Sequence, residues 1–177
     1  LDAEALYETL AVRDIQDAAD TLYPVYEETS MRDGYVSLEV SPVLAYDTAN
    51  TLAEARRLWQ AVGRANLMIK VPATPQGLPA IRQLISEGIN VNVTLLFGQK
   101  AYEEAAEAYI AGLEKLVSRG GDPRRVASVA SFFISRIDAA IDALIVARLR
   151  ATTDQREQSL LGGLAGKVAI ANAKLAY

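Results

Sequence analysis

The 177-residue sequence contains no cysteine and no histidine. Without either residue it cannot build a Ser-His-Asp or Cys-His nucleophile pair, a zinc site of the usual nitrogen and sulfur type, or an imidazole base working near neutral pH. Its chemistry is left to carboxylates, lysines, hydroxyls, amides and arginines. There is no basic excess either: 18 Lys+Arg stand against 22 Asp+Glu, a formal net charge of −4. That balance offers no footprint for nucleic acid or an anionic membrane, and neither is expected as a partner. No apolar run approaches the ~20 residues of a membrane-spanning helix. No GxGxxG or GxxxxGK[ST] is present, so a dinucleotide or P-loop phosphate site is not supported. The lack of cysteine suits a reducing compartment, and the expected location is cytoplasmic.

What remains is ordinary globular composition, 51% hydrophobic and 23% charged, with no linker or low-complexity tract to divide it. Four short runs rich in β-branched and aliphatic residues predict strands: YVSLEV (35–40), NLMIKV (66–71), INVNVTLLF (89–97, the strand itself near 89–95) and RVASVA (125–130). A helical pattern follows each. Thr48 is placed to cap a helix with Leu52, Ala55, Leu58, Trp59 and Val62 on one face. Leu78, Ile81, Leu84 and Ile85 mark a second helix, ending at Gly88. Residues 98–121 and 131–150 give two more, and Leu6, Leu10, Val12 and Ile15 set a helical period within residues 1–20.

Strands alternating with helices imply a parallel sheet, since each parallel connection needs a crossover of about a dozen residues or more. An open doubly wound sheet buries both faces and reads as continuous apolar runs. Here polar residues recur at a spacing of two: Ser37 and Glu39, then Asn90, Asn92 and Thr94. Side chains two apart share a strand face. In a (β/α)8 barrel such groups converge inside, toward the carboxyl end where active sites of that fold lie. The expected fold is therefore a (β/α)8 TIM barrel, of which residues 1–177 supply about the middle half as a single partial domain. Leu1 is not an initiator methionine and GKVAIANAKLAY stops inside a helical pattern, which fits a piece of a longer chain. Half a barrel would expose two sheet edges and is not expected to be stable alone.

Lys70 interrupts the apolar run NLMIKVPAT. On pattern alone the plainer reading is a strand-end lysine with its ammonium in water. The functional reading is a Schiff-base lysine, whose neutral amine becomes available when the group is desolvated. Glu39 is a rim glutamate or, beside Lys70 on a neighbouring strand, a general acid/base. Asn92 and Thr94 suit a polyhydroxylated ligand, or a polar layer that satisfies itself. Ser131, Phe132 and Arg136 follow the fourth predicted strand. An arginine near a helix N-terminus is a sensible phosphate ligand, although most such arginines are solvated surface groups.

VSLEVSP, AYDT, IKVPAT, GINVNVTLLF and SFFISRID, in that order and spacing, resemble transaldolase, the class I aldolase-type transferase of the pentose phosphate pathway. The resemblance runs over nearly the whole chain. It is strongest to the longer bacterial forms, some of which are fused to a glucose-phosphate isomerase. It implies that Lys70 forms the Schiff base with the ketose C2 carbonyl and that Glu39 moves protons through a water positioned by Thr94. It further implies that Asn92 and Ser131 hold the dihydroxyacetone moiety, that Phe133 is an aromatic of the site, and that Arg136 is one of two phosphate-binding arginines. The implied substrates are sedoheptulose 7-phosphate, fructose 6-phosphate, glyceraldehyde 3-phosphate and erythrose 4-phosphate. No metal or organic cofactor is implied, because the protonated imine is itself the electron sink.

The family's cleavage aspartate and a site asparagine would lie upstream of Leu1, and its second phosphate arginine beyond Tyr177. Little turnover is expected of residues 1–177 alone. A fructose 6-phosphate aldolase shares the fold and the lysine but usually carries glutamine and tyrosine where Glu39 and Phe133 stand. The rival of another class is a non-catalytic remnant that folds only with a complementary fragment or another copy.

Overall fold

A computed structural model of the chain describes residues 3–177. Its elements run α1 (Ala3–Glu28), β1 (Val36–Glu39), α2 (Thr48–Val62), β2 (Leu67–Pro72), α3 (Gly77–Ser86), β3 (Val91–Leu96), α4 (Gln99–Ser118), β4 (Ser128–Phe132), α5 (Ser135–Ala151), α6 (Gln155–Leu164) and α7 (Val168–Ala176). Short 3-10 turns at Pro42–Leu44 and Pro123–Arg125 precede α2 and β4. The strands form one parallel sheet in the order β1-β2-β3-β4, so each pairs with its neighbour in sequence. Among the described residues no strand pairs with the outer side of β1 or β4. No described helix is long and apolar enough to cross a membrane.

The two faces of this sheet differ. Val40, Leu67, Ile69, Val71, Val91 and Val93 form one core with Ala55, Leu58 and Val62 of α2, Ile81, Leu84 and Ile85 of α3, and Ala105 of α4. The strand residues between them, Ser37, Glu39, Lys70, Asn92 and Thr94, point to the other face by the two-residue period. Helices on one side, polar groups on the other and strands paired in sequence order define an arc of a (β/α)8 barrel. A doubly wound sheet would carry helices on both faces.

Several boundaries differ from those the sequence suggests. The fourth strand begins at Ser128, three residues late, because Asp122 caps the Pro123–Arg125 turn by accepting from Arg124 N. Ser131 and Phe132 consequently lie within β4 rather than after it. Asp47, not Thr48, caps α2, accepting from Asn50 N at 3.0 Å. Thr48 is the first helical residue, and its hydroxyl donates to Gln76 O at 2.6 Å. Helix α1 continues through Pro24 to Glu28. Its last turns are held by the Tyr23–Tyr26 and Tyr26–Tyr35 ring contacts, with Tyr26 only 9% exposed. Of the apolar period in residues 1–20, Val12 and Ile15 pack on the core while Leu6 and Leu10 are exposed.

Two glycines permit close approach. A Cβ at Gly112 would stand 2.8 Å from Arg82 O and from Ile85 Cβ, so a bare backbone lets α4 lie against α3. A Cβ at Gly77 would meet Pro72 O at 1.9 Å, so only glycine allows α3 to start so tightly behind β2. The last three helices stand apart from the sheet. Gly166 N donates to Asp142 Oδ1, and α7 reaches back to the β3–α4 connection through Asn172.

Candidate active site

Parallel pairing puts Glu39 opposite Lys70, and Lys70 opposite Asn92, at the carboxyl end of the sheet. Lys70 Nζ donates to Glu39 Oε2 at 3.0 Å. The carboxylate is thus within direct reach of the amine's proton, the geometry a proton-transfer partner needs. The expectation of a dry lysine is not met: the Lys70 side chain is 30% exposed and Glu39 48%. Both face the polar side of the sheet, which no further strand closes off among the described residues.

Asn92 links three strands. Its Nδ2 donates to Ser37 Oγ on β1 at 3.1 Å, and its Oδ1 accepts from Ser131 Oγ on β4 at 2.7 Å. Asn92 and Ser131 are therefore brought together, with Ser37 added to the set. Thr94 lies two residues beyond Asn92 on the same face, opposite Pro72, and is 3% exposed. A cavity of about 310 Å³ on this face, below the Glu39–Lys70 pair, is lined by Ser37, Met68, Asn92 and Val129 together with Arg32 and Tyr35. Burial against Tyr26 pushes the Tyr35 hydroxyl up to about 12, so it stays a neutral donor, to Met31 O at 2.9 Å. Asn90, grouped with the site by its spacing, lies just before β3 and serves the opposite end. Its amide donates to Ala65 O and Leu67 O, and its carbonyl accepts from Ala127 N.

The two aromatics of SFFISRID part ways. Phe132 packs on the helix-covered core, edge-on to Tyr102. Phe133, just past β4, stacks on Phe97 with ring centroids 4.7 Å apart and planes 13° from parallel. The Arg136 guanidinium carbon lies 4.5 Å from the Phe133 centroid. Arg136 is the second residue of α5 and, among the described residues, forms no ion pair. The sequence reading named Phe133 and Arg136 but not Phe97, because strict alternation from Asn92 puts Phe97 under α4.

The connections that carry these groups are fixed to one another. Thr74 of IKVPAT donates to Ala45 O and accepts from Gly77 N, tying the loop after β2 to the loop after β1. Glu54 Oε1 accepts from Ser41 N at 2.7 Å and anchors the turn after Glu39. These are positioning contacts. A helix side chain and a loop hydroxyl hold the turns on which the lysine and glutamate end.

A lysine and a carboxylate in hydrogen-bond contact at the carboxyl end of the sheet, with amide and hydroxyl groups beside them, define the class: a (β/α) barrel arc with a polar cluster where active sites of that fold lie. Sequence comparison gives the family. The transaldolase/fructose-6-phosphate aldolase family matches residues 1–177, and the chain belongs to it. It is 56% identical over 172 residues to a transaldolase of Trichodesmium erythraeum, covering 97% of this chain and 45% of that protein. It is 50% identical over 176 residues to a transaldolase of Thiobacillus denitrificans, covering 99% and 47%, and 48% identical over 177 residues to one of Thermobifida fusca, covering 100% and 46%. The chain spans about half the length of the curated relatives it matches.

Proposed function

We propose that these residues form the Schiff-base half of a cytoplasmic transaldolase, moving a dihydroxyacetone unit from a ketose phosphate to an aldose phosphate. The observation that carries this reading is the 3.0 Å contact between Lys70 Nζ and Glu39 Oε2 on neighbouring strands. The neutral Lys70 amine adds to the C2 carbonyl of a ketose such as sedoheptulose 7-phosphate or fructose 6-phosphate. Glu39 first takes one proton from the Lys70 ammonium, which frees the amine, and passes it to the carbonyl oxygen to give the carbinolamine. It then carries a second proton from the nitrogen to that hydroxyl, which leaves as water and yields the protonated imine. The imine nitrogen then accepts the electron pair released when the C3–C4 bond breaks. In this reading Thr94 positions a water through which Glu39 relays these protons, Asn92 and Ser131 hold the dihydroxyacetone moiety, Phe133 is an aromatic of the site, and Arg136 takes the phosphate. The acceptor, glyceraldehyde 3-phosphate or erythrose 4-phosphate, regains the unit by the reverse steps. The base that starts carbon–carbon cleavage is not among the residues assigned here.

Borohydride reduction in the presence of fructose 6-phosphate tests the reading. A stable adduct mapped to Lys70 by peptide mass spectrometry is expected, and an intact protein that gains no mass on Lys70 overturns it. Dependence of turnover on an added aldose phosphate separates the transferase from an aldolase that releases dihydroxyacetone.

A further inference from the structure

Strand β3 does not keep its alternation to the end. Val91 and Val93 face the helices, and Asn92 and Thr94 face the polar side, so Leu95 and Phe97 would next turn toward α4. Instead Leu95 adopts a left-handed backbone with φ +61°, a conformation that costs leucine energy. Between the pairs Val93–Ala130 and Leu96–Phe132, β3 carries one residue more than β4. The extra residue is a bulge, and it inverts the phase of everything after it. Leu96 drops into the core at 0% exposure. Phe97 emerges on the other side, where it meets Phe133 and, through it, Arg136. A further contact fixes it there: Asn172 Nδ2 of α7 donates to Phe97 O at 2.9 Å.

We infer that Phe97 is a positioning residue for Arg136: the bulge at Leu95 and the Asn172 tie hold its ring beneath Phe133, so that the guanidinium is stacked in place before an anion arrives. The inference rests on Arg136 being the ligand of the substrate phosphate. An arginine side chain is long and loses much rotamer freedom when it binds. Stacking on an aromatic face orders the guanidinium plane while leaving its N–H edges free for phosphate oxygens. Phe133 alone offers one half-buried ring. Backed by Phe97 at 4.7 Å, it becomes a fixed platform.

The test uses the complete gene product, with inorganic phosphate as the probe, followed by calorimetry, and KM and kcat measured with fructose 6-phosphate. Phe97→Ala is expected to weaken phosphate binding and raise KM about tenfold, with a smaller change in kcat. Phe97→Tyr, which keeps the ring, should stay within about twofold of the parent protein. Phe97→Leu keeps apolar volume without an aromatic face. It should behave as the alanine variant does, and it decides the matter if alanine fails to fold. Parent-like phosphate binding by Phe97→Leu overturns the inference. Arg136→Ala separates the two levels. If it binds phosphate like the parent, the reading of Arg136 falls. If it loses phosphate while Phe97→Leu does not, the positioning role alone is wrong.

Discussion

The two ends of the one sheet are built to opposite rules. At the amino end, Asn66 and Asn90 are 0% and 3% exposed, and their amides replace the backbone partners that strands lack where they begin. Asn66 Nδ2 donates to Ala19 O and Gly34 O, pinning α1 and the approach to β1. Asn90 ties β2 and β4 to the start of β3. At the carboxyl end, Lys70 and Glu39 remain partly exposed, Leu95 is held in a left-handed conformation, and Phe97 is 43% exposed. Asn90 and Asn92 sharpen the contrast, since they are the same residue type two positions apart. One is sealed among backbone groups. The other bridges two hydroxyls, Ser37 on β1 and Ser131 on β4. Stability is concentrated below and chemical capacity above, the division expected of this fold.

The comparison breaks if a substitution at either end acts like one at the other. The largest effect is expected for Lys70→Ala, which should lower turnover of the complete gene product by a factor on the order of 10⁴ or more. Its melting temperature should hardly move, because a half-exposed ion pair contributes at most ~1 kcal/mol. Steady-state rates and a thermal melt together check this. Glu39→Gln should cost about 10²–10⁴-fold in turnover by removing the proton carrier, again without a stability loss in the melt.

Asn66→Ala should do the reverse. Loss of two donors to buried carbonyls is expected to cost ~2–3 kcal/mol in urea denaturation, while the activity of the folded fraction stays near that of the parent. Leu95→Gly should gain ~0.5–1 kcal/mol in the same assay, as relief of the left-handed strain exceeds the added chain entropy. A destabilised Leu95→Gly protein would show that the bulge is not strained.

The smallest effect lies on the outer helix layer. Arg56 makes two hydrogen bonds to Glu87, at 2.8 and 2.6 Å, and holds that carboxyl below its ordinary value of 4.5. A lowered folded value contributes stability that is complete above the unfolded value and is lost as pH falls through the folded one. The pair is partly exposed, so the loss should stay under ~1 kcal/mol. Glu87→Gln should flatten the difference between urea midpoints at about pH 6 and about pH 3.5.

Much of this was legible from one dimension. Period-two polar spacing in VSLEV and NVNVT predicts the inward face, and apolar spacing at three and four predicts the helix faces of α2 and α3. Lys70, Glu39, Asn92 and Ser131 then fall together because parallel pairing aligns strand ends. Three features were not legible. Asn90 obeys the same spacing as Asn92 yet belongs to the other end, since the spacing gives a face and not a height. Phe97 was hidden because a single left-handed residue inverts the phase, and leucine gives no sign that it will adopt that backbone. The start of β4 was misplaced because the turn at Pro123–Arg125 takes up residues whose composition reads as strand.

By itself, then, the sequence determined which residue types were available for chemistry and which strand faces they would share, because composition and side-chain alternation are properties of the chain. Only the tertiary structure decided which of them touch. The Lys70–Glu39 contact, the Ser37–Asn92–Ser131 bridge and the Phe97–Phe133–Arg136 stack each join residues far apart in the chain. Their distances depend on strand register and on one backbone kink, and neither is encoded in local pattern.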